Sequence, residues 1–299
     1  MDIKRSYYET LYNRPVVQLA GYCAKYELPA SLYAYLAFGG ATASAKDALA
    51  EGMLALATEK GFLKPGQTVI ETSSGSFAVA LAIACAHSRH PLILCMPSNV
   101  PVARQRMFTE LGAKIALTNS IYGRQGMEKR AQEAVERTGG YYLNYFDNDL
   151  NAEFHRRVTG PNIARATEGA LDAIVVGVGS GGTVTGVGEY VKAWYPDVRM
   201  IAVEPYESQV LSGGFAGTHS IPGLGAGFVP ENYNPYIVDG VIPVPSQEAG
   251  AKAREVLQTD AVPASPSAGA TLAAAHKLIR ENKDVRRVLC IFAGKETYE

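Results

Sequence analysis

The chain has 299 residues, 47% of them apolar and 19% charged, with a formal net charge of −1. This composition describes an ordinary globular protein with enough length for one large or two moderate cores. The near-neutral balance removes the bulk electrostatic case for nucleic acid or an acidic membrane surface as partner.

Residues 1–9 contain no apolar segment of the secretory kind, and the apolar run 78–86 is about half of what a membrane span needs. Cys23, Cys85, Cys95 and Cys290 lack C-x-x-C spacing, and the five histidines form no H-x-x-x-H pair. The expectation is a reduced, cytoplasmic protein without a zinc site.

In chain order, the turn Asn13-Arg14-Pro15 feeds a strand at 16–19, and a second strand rich in Tyr and Leu covers 31–38. A small-residue loop from Gly39 leads to Lys46 and a helix at 47–60, which Gly61 closes. A strand at 68–71 runs into the polar loop Thr72-Ser73-Ser74-Gly75-Ser76 and an apolar helix at 77–86. The alternation continues with a strand at 91–96, a helix at 102–111, a strand at 113–117, a helix at 126–137 and a strand at 141–145. After a helical stretch at 151–166, the apolar run 173–176 reads as a buried parallel strand. Glycines 177, 179, 181 and 182 then open a helix at 183–194. A strand at 200–204, a glycine-rich loop at 212–227 and an extended stretch at 237–244 come next. A helix at 247–257, a loop at 264–267, a helix at 268–281 and a strand at 285–292 complete the chain. Strands alternating with helices predict an α/β fold with parallel or mostly parallel sheets. A domain boundary is expected near residue 150, where a new run of units begins.

Four stretches carry chemistry. The glycines after the 173–176 strand present bare N–H groups at a helix start, a site for an anion and most often a phosphate. Gly177, Gly179 and Gly182 match G-x-G-x-x-G, and Glu204 ends a strand about 20 residues on, where a dinucleotide fold places its ribose-binding acid. On motif grounds alone a nicotinamide oxidoreductase is therefore open, as is a tight turn with no ligand. Against the dinucleotide, the motif lies past the middle of the chain and leaves three other small-residue loops without a role. Lys46, among small residues at a helix start, reads either as a surface lysine or as a Schiff-base lysine. Ser73, Ser74, Gly75 and Ser76 suit a carboxylate, or serve as plain helix caps. Ser267 reads by default as a cap.

Taken together these loops resemble the cysteine synthase and cystathionine β-synthase family of pyridoxal-phosphate (PLP) enzymes, the fold-type II group. The likeness runs from Leu11 to Tyr298. Asn13-Arg14-Pro15-Val16-Val17 is similar to the family's N-T-P-L-V, and Ser44-Ala45-Lys46-Asp47 to its S-x-K-D. Residues 179–183 with Thr185-Gly186 resemble G-T-G-G-T-x-T-G. Val203-Glu204-Pro205, Gly213-Gly214, His219, the 223–230 loop and Ser267-Ala268-Gly269 follow in family order.

The departures gather where the amino-acid substrate should lie. T-S-G-N-T reads Ser73-Ser74-Gly75-Ser76-Phe77, N-Q-F-D-N reads Asn144-Tyr145-Phe146-Asp147-Asn148, and K-D-R reads Lys46-Asp47-Ala48. The terminal P-D-S-G-E-R reads Phe292-Ala293-Gly294-Lys295-Glu296-Thr297.

The resemblance implies a tryptophan synthase β-like fold of two domains. Residues 40–148 form the smaller one, carrying Lys46, and residues 1–39 with 149–299 form the larger. It implies PLP bound through Lys46, with the phosphate on Gly179, Ser180, Gly181, Gly182 and Thr183, the pyridine nitrogen at Ser267 and the phenolic oxygen at Ser76. Ser73, Ser74 and Gly75 would take the substrate carboxylate, with Phe77, Tyr145 and Gly223 shaping the pocket. The implied reaction is β-elimination and β-replacement on a β-substituted L-alanine through aminoacrylate, in a homodimer, with substrate specificity altered by the departures. Two other readings stay open: a lyase that stops at aminoacrylate, and a weakened homologue that binds PLP in a regulatory role.

Overall fold

The structure, a computed structural model, describes residues 6–295. Ten strands and ten α-helices are assigned among them. The first part of the chain runs β1 (Val16–Gln18), α1 (Ala20–Lys25), β2 (Ser31–Leu36), α2 (Lys46–Glu59), β3 (Val69–Glu71) and α3 (Ser76–Ser88). Then come β4 (Leu92–Pro97), α4 (Val102–Glu110), β5 (Ala113–Thr118), α5 (Gly123–Thr138), β6 (Tyr141–Tyr142), α6 (Asp149–Phe154) and α7 (Gly160–Thr167). The last part holds β7 (Ala173–Gly177), α8 (Gly182–Trp194), β8 (Arg199–Pro205), β9 (Gly240–Val244), α9 (Ser246–Asp260), α10 (Pro266–Glu281) and β10 (Arg287–Phe292). No described helix is long and apolar enough to cross a membrane.

The chain divides into two compact units. One holds Gly40–Thr42 and Lys46–Leu150. The other holds the described residues up to Gly39, Ala43–Ala45 and those from Asn151 onward.

The larger unit is built on a six-stranded sheet, order β1-β2-β10-β7-β8-β9. Every pairing is parallel except β1 with β2. Its central strands are buried on both faces, which is why 173–176 is continuously apolar. Ala173 and Val175 belong to one core, with α9 and α10, while Ile174 and Val176 belong to the other, with α7 and α8. This is the period-two alternation of a strand sandwiched by helices. The smaller unit carries a four-stranded parallel sheet, order β5-β4-β3-β6. Ile70, Ile93 and Cys95 pack there against Ala131 and Ala134 of α5.

Four local differences from the sequence reading have physical causes. The strand expected at 141–145 stops at Tyr142, because Asn144 takes a left-handed backbone (φ 48) that a strand cannot continue. The helix expected at 151–166 contains a π-helical turn, His155–Thr159, between α6 and α7. The second half of the loop expected at 264–267 is already helix, since Ser265 is the cap and Pro266 opens α10. Helix α1 is only six residues long, too short for a periodic signal. The Glu296-Thr297 part of the terminal motif lies outside the described residues.

Candidate active site

In the larger unit the glycine loop closes β7 and opens α8 at the carboxyl edge of the parallel sheet, where open α/β sheets bind their ligands. Gly181 caps α8 with φ +83, and the N–H groups of the helix's first turn have no intrahelical acceptor. A Cβ on Gly179 would lie 2.2 Å from the Gly223 carbonyl oxygen, so the loop is pressed against the 212–227 loop and only glycine fits. Gly225 N–H donates to the Val178 carbonyl at 3.0 Å and binds the two loops together.

The two hydroxyls of the loop are anchored from behind. Asn151 Nδ2 donates to Ser180 Oγ at 3.0 Å, which leaves the Ser180 proton to give elsewhere. Thr183 Oγ1 sits 3.0 Å from His155 Nε2, and His155 Nδ1 is 2.8 Å from Thr159 Oγ1. His155 is buried on the π-helical turn. A helix start with bare N–H groups, a left-handed glycine and two braced hydroxyls is a donor set for a phosphate dianion. The residues present therefore fit the phosphate end of PLP.

Glu204 has a different task from the one a dinucleotide fold would give it. It is buried at the end of β8, and its carboxylate accepts from the N–H groups of Leu211 and Ser212 and from the Ser212 hydroxyl. It closes the turn after β8 and has no reach left for a ribose. His219 accepts from Ile221 N–H at Nδ1 and so donates through Nε2 to the Gly225 carbonyl, shaping the same glycine-rich loop.

Ser267 lies buried in the first turn of α10, its Oγ 2.9 Å from that of Ser265. Ser265, the cap, accepts from Ala268 N–H. Also in this unit, Ala43–Ala45 is pinned to the segment just after β10. Ala45 N–H donates to the Ala293 carbonyl at 2.7 Å, and Ser44 pairs with Gly294 in an antiparallel bridge.

In the smaller unit Lys46 is the first residue of α2. The helix start is fixed by Asp47, which is buried and whose carboxylate accepts from the N–H and hydroxyl of Thr42. Lys46 is half-buried, and its Nζ stands 5.2 Å from the ring centroid of Tyr145. Tyr145 stacks on Phe77, with centroids 3.9 Å apart and planes 19° apart. Both rings are buried, at 5% and 3% exposure, so this wall is packed core and not a pair of loose side chains.

Ser73 and Ser74 are half-buried, while Gly75 and Ser76 are exposed. The cap of α3 is Gly75, with no side-chain cap bond, so neither serine is spent on capping. That removes the plain-cap reading of this cluster and leaves Ser73 and Ser74 hydroxyls beside a helix start.

Beneath this wall is a residue the sequence reading passed over. Glu71 ends β3 fully buried. Its carboxylate accepts from Thr72 N–H at 2.7 Å and from Tyr145 N–H at 3.0 Å. Burial pushes its pKa up to about 7, against the opposing pull of the Tyr145 and Thr72 N–H groups and the Thr72 hydroxyl. A carboxylate closing an apolar three-residue strand was the available signal. Asn151 and His155 were equally unread as supports of the glycine loop. Burial raises all three cysteines of the apolar runs, Cys85 to about 12, Cys95 to about 11 and Cys290 likewise upward, and all four cysteines are free.

The comparisons with known proteins agree with the donor set. The chain is 36% identical over 253 residues to a cysteine synthase of Staphylococcus aureus, spanning 84% of this chain and 82% of that one. The crystal structure of a cysteine synthase from Entamoeba histolytica aligns with TM-score 0.89 and 32% identity, over 98% of this chain and 88% of that one. That of an O-ureido-L-serine synthase aligns with TM-score 0.89 and 29% identity, over 98% of this chain and 92% of that one. The model of the pyridoxal-phosphate dependent enzymes matches residues 9–294, and the chain belongs to that family.

Proposed function

We propose that the chain catalyses PLP-dependent β-replacement on a β-substituted L-alanine of the O-activated serine class. The observation that carries this reading is the identity to a cysteine synthase over 253 residues, in a chain that also builds the phosphate donor set at 179–183. Lys46 would hold the cofactor through its amine. Gly179, Ser180, Gly181, Gly182 and Thr183 would hold the phosphate, and Ser267 would face the pyridine nitrogen. Ser76 would face the phenolic oxygen. PLP, when bound, supplies an electron sink for the bond pair left at the substrate's Cα.

The remaining roles fall to the chain's own groups. The freed Lys46 amine takes the α-proton as general base. Ser73, Ser74 and the Gly75 backbone hold the substrate carboxylate, their hydroxyls being unspent on capping. Phe77, Tyr145 and Gly223 bound the substrate. Ser267 is uncharged and leaves the pyridine nitrogen unprotonated, which favours loss of a β-substituent over transamination. The substrate-loop domain spans 40–148 and carries the lysine; the phosphate domain comprises 1–39 and 149–299. The family resemblance and the four free cysteines support a cytoplasmic homodimer.

The test begins with purified protein and added pyridoxal phosphate. Wild type should gain visible absorbance that Lys46→Ala does not, and should form cysteine from O-acetylserine and sulfide. Protein that takes up no pyridoxal phosphate would refute the reading. Pyruvate released without a nucleophile would move it to elimination alone.

A further inference from the structure

We infer that the Tyr145 ring, braced by Phe77 and Glu71, is a positioning element for the Lys46 amine. The inference rests on the role given to Lys46 above. The Lys46 ammonium lies 5.2 Å from the Tyr145 centroid, within the range over which a ring face attracts a cation. Both groups belong to the smaller unit, so the contact is internal to it.

The ring cannot swing freely. Phe77 lies flat against it at 3.9 Å, Phe146 meets its edge at 4.9 Å, and both stacked rings are buried. Its backbone is held as well, through the bond from Tyr145 N–H to Glu71 Oε2. Glu71 also takes Thr72 N–H, and Thr72 Oγ1 is 3.0 Å from the Tyr142 hydroxyl. The loop leaving β3 and the loop leaving β6 are thus joined at one buried carboxylate. One of these loops leads to Phe77 and the other carries Tyr145.

The consequence for the reaction is specific. When the amine takes the α-proton, the C–H pair stays on the substrate carbon and nitrogen becomes an ammonium. A fixed ring face beside that nitrogen stabilises the cation as it forms and costs no rearrangement. It also keeps the charged amine on one side of its arc, toward the aromatic wall. The attraction is to the ring face and not to the hydroxyl, so phenylalanine should serve as well as tyrosine.

The experiment uses full-length wild type, Tyr145→Leu, Tyr145→Phe and Phe77→Leu, with folding checked by circular dichroism. In cofactor-free protein, reductive methylation of Lys46 by formaldehyde and cyanoborohydride is followed by peptide mass spectrometry. Only the uncharged amine reacts. Losing the ring face should speed labelling by about 2- to 30-fold in Tyr145→Leu, the range of a cation–π contact. Tyr145→Phe should restore the wild-type rate, and Phe77→Leu should fall between.

In loaded enzyme, α-hydrogen exchange of L-alanine in D2O should lose kcat by a like factor in Tyr145→Leu and recover in Tyr145→Phe. Equal labelling in wild type and Tyr145→Leu would overturn the inference. So would a loss in Tyr145→Phe as large as in Tyr145→Leu, which would assign the effect to the hydroxyl. A wild type that neither takes up cofactor nor exchanges would refute the proposed function instead, and the labelling arm would still decide the role of the ring.

Discussion

Replacing Glu71 by glutamine should flatten the pH dependence of stability between about pH 4.5 and pH 8. The side chain is fully buried, and its pKa rises from an ordinary 4.5 to about 7, with burial as the largest cause. Between those values the folded chain keeps a proton that the unfolded chain has released. The contribution of Glu71 to stability is therefore fully present below about pH 4.5 and is lost as pH rises through about 7. At about 1.4 kcal/mol per pH unit, that interval corresponds to about 3 kcal/mol. Glutamine cannot ionise and has no such slope. Its amide oxygen can still accept one N–H, but its NH2 then faces the other, at a cost of about 1–3 kcal/mol at every pH. Glu71→Gln should be the less stable protein in acid and should draw level with wild type by about pH 8. Urea unfolding followed by far-UV circular dichroism across this range measures the gap directly. A gap that stays constant with pH would refute the reasoning, because it would mean that Glu71 ionises equally in both states.

Two further outcomes are expected. Gly179→Ala places a methyl 2.2 Å from the backbone oxygen of Gly223, which cannot yield as a flexible side chain would. It should lower the thermal midpoint by the equivalent of about 1–3 kcal/mol and weaken PLP retention, read from visible absorbance after dialysis. Glu255 opposes Glu71 in sign. Burial would raise it, but hydrogen bonds from Lys25, Tyr26 and Lys252 outweigh burial and hold it at about 2. Its stabilisation is present above about pH 4.5 and lost as pH falls toward 2, so Glu255→Gln should reduce the acid sensitivity of unfolding in that window.

The architecture was legible wherever a single element carries its own signal. Ala173 to Val176 announced a strand buried on both faces, and the glycines after it announced a helix start without side chains. What the sequence left dark are contacts made across the chain. Glu71 and Tyr145 meet only through folding, and nothing local to Val69-Ile70-Glu71 says where the carboxylate's partners are. The π-helical turn at His155–Thr159 has no periodic pattern of its own. Ser267 was read as preceding its helix because Ser-Pro-Ser looks like a loop, yet proline is well tolerated at the first helical position and moves the start back to Ser265. The dinucleotide motif misled for a related reason. Gly177, Gly179 and Gly182 are pressed against Leu224, Gly223 and Asn151, so close packing alone calls for them, and Glu204 is spent on its own turn.

The same distinction bears on the departures from the cysteine synthase pattern. Phe77 stands where the resemblance expects threonine, and Tyr145 where it expects glutamine. If the site were merely decaying, each change would be independent, and a lone ring in place of a small or polar side chain would overpack its surroundings or lie exposed. Instead the two rings lie flat on each other at 3.9 Å, both buried, an arrangement worth about 0.5–1.5 kcal/mol beyond the area it covers. Either aromatic alone would forfeit that term, so the two substitutions support each other. The wall they make faces the lysine and rests on Glu71, with its backbone bond satisfied. A surface with matched packing and a buried anchor, set beside Lys46, is one that the two substitutions built together.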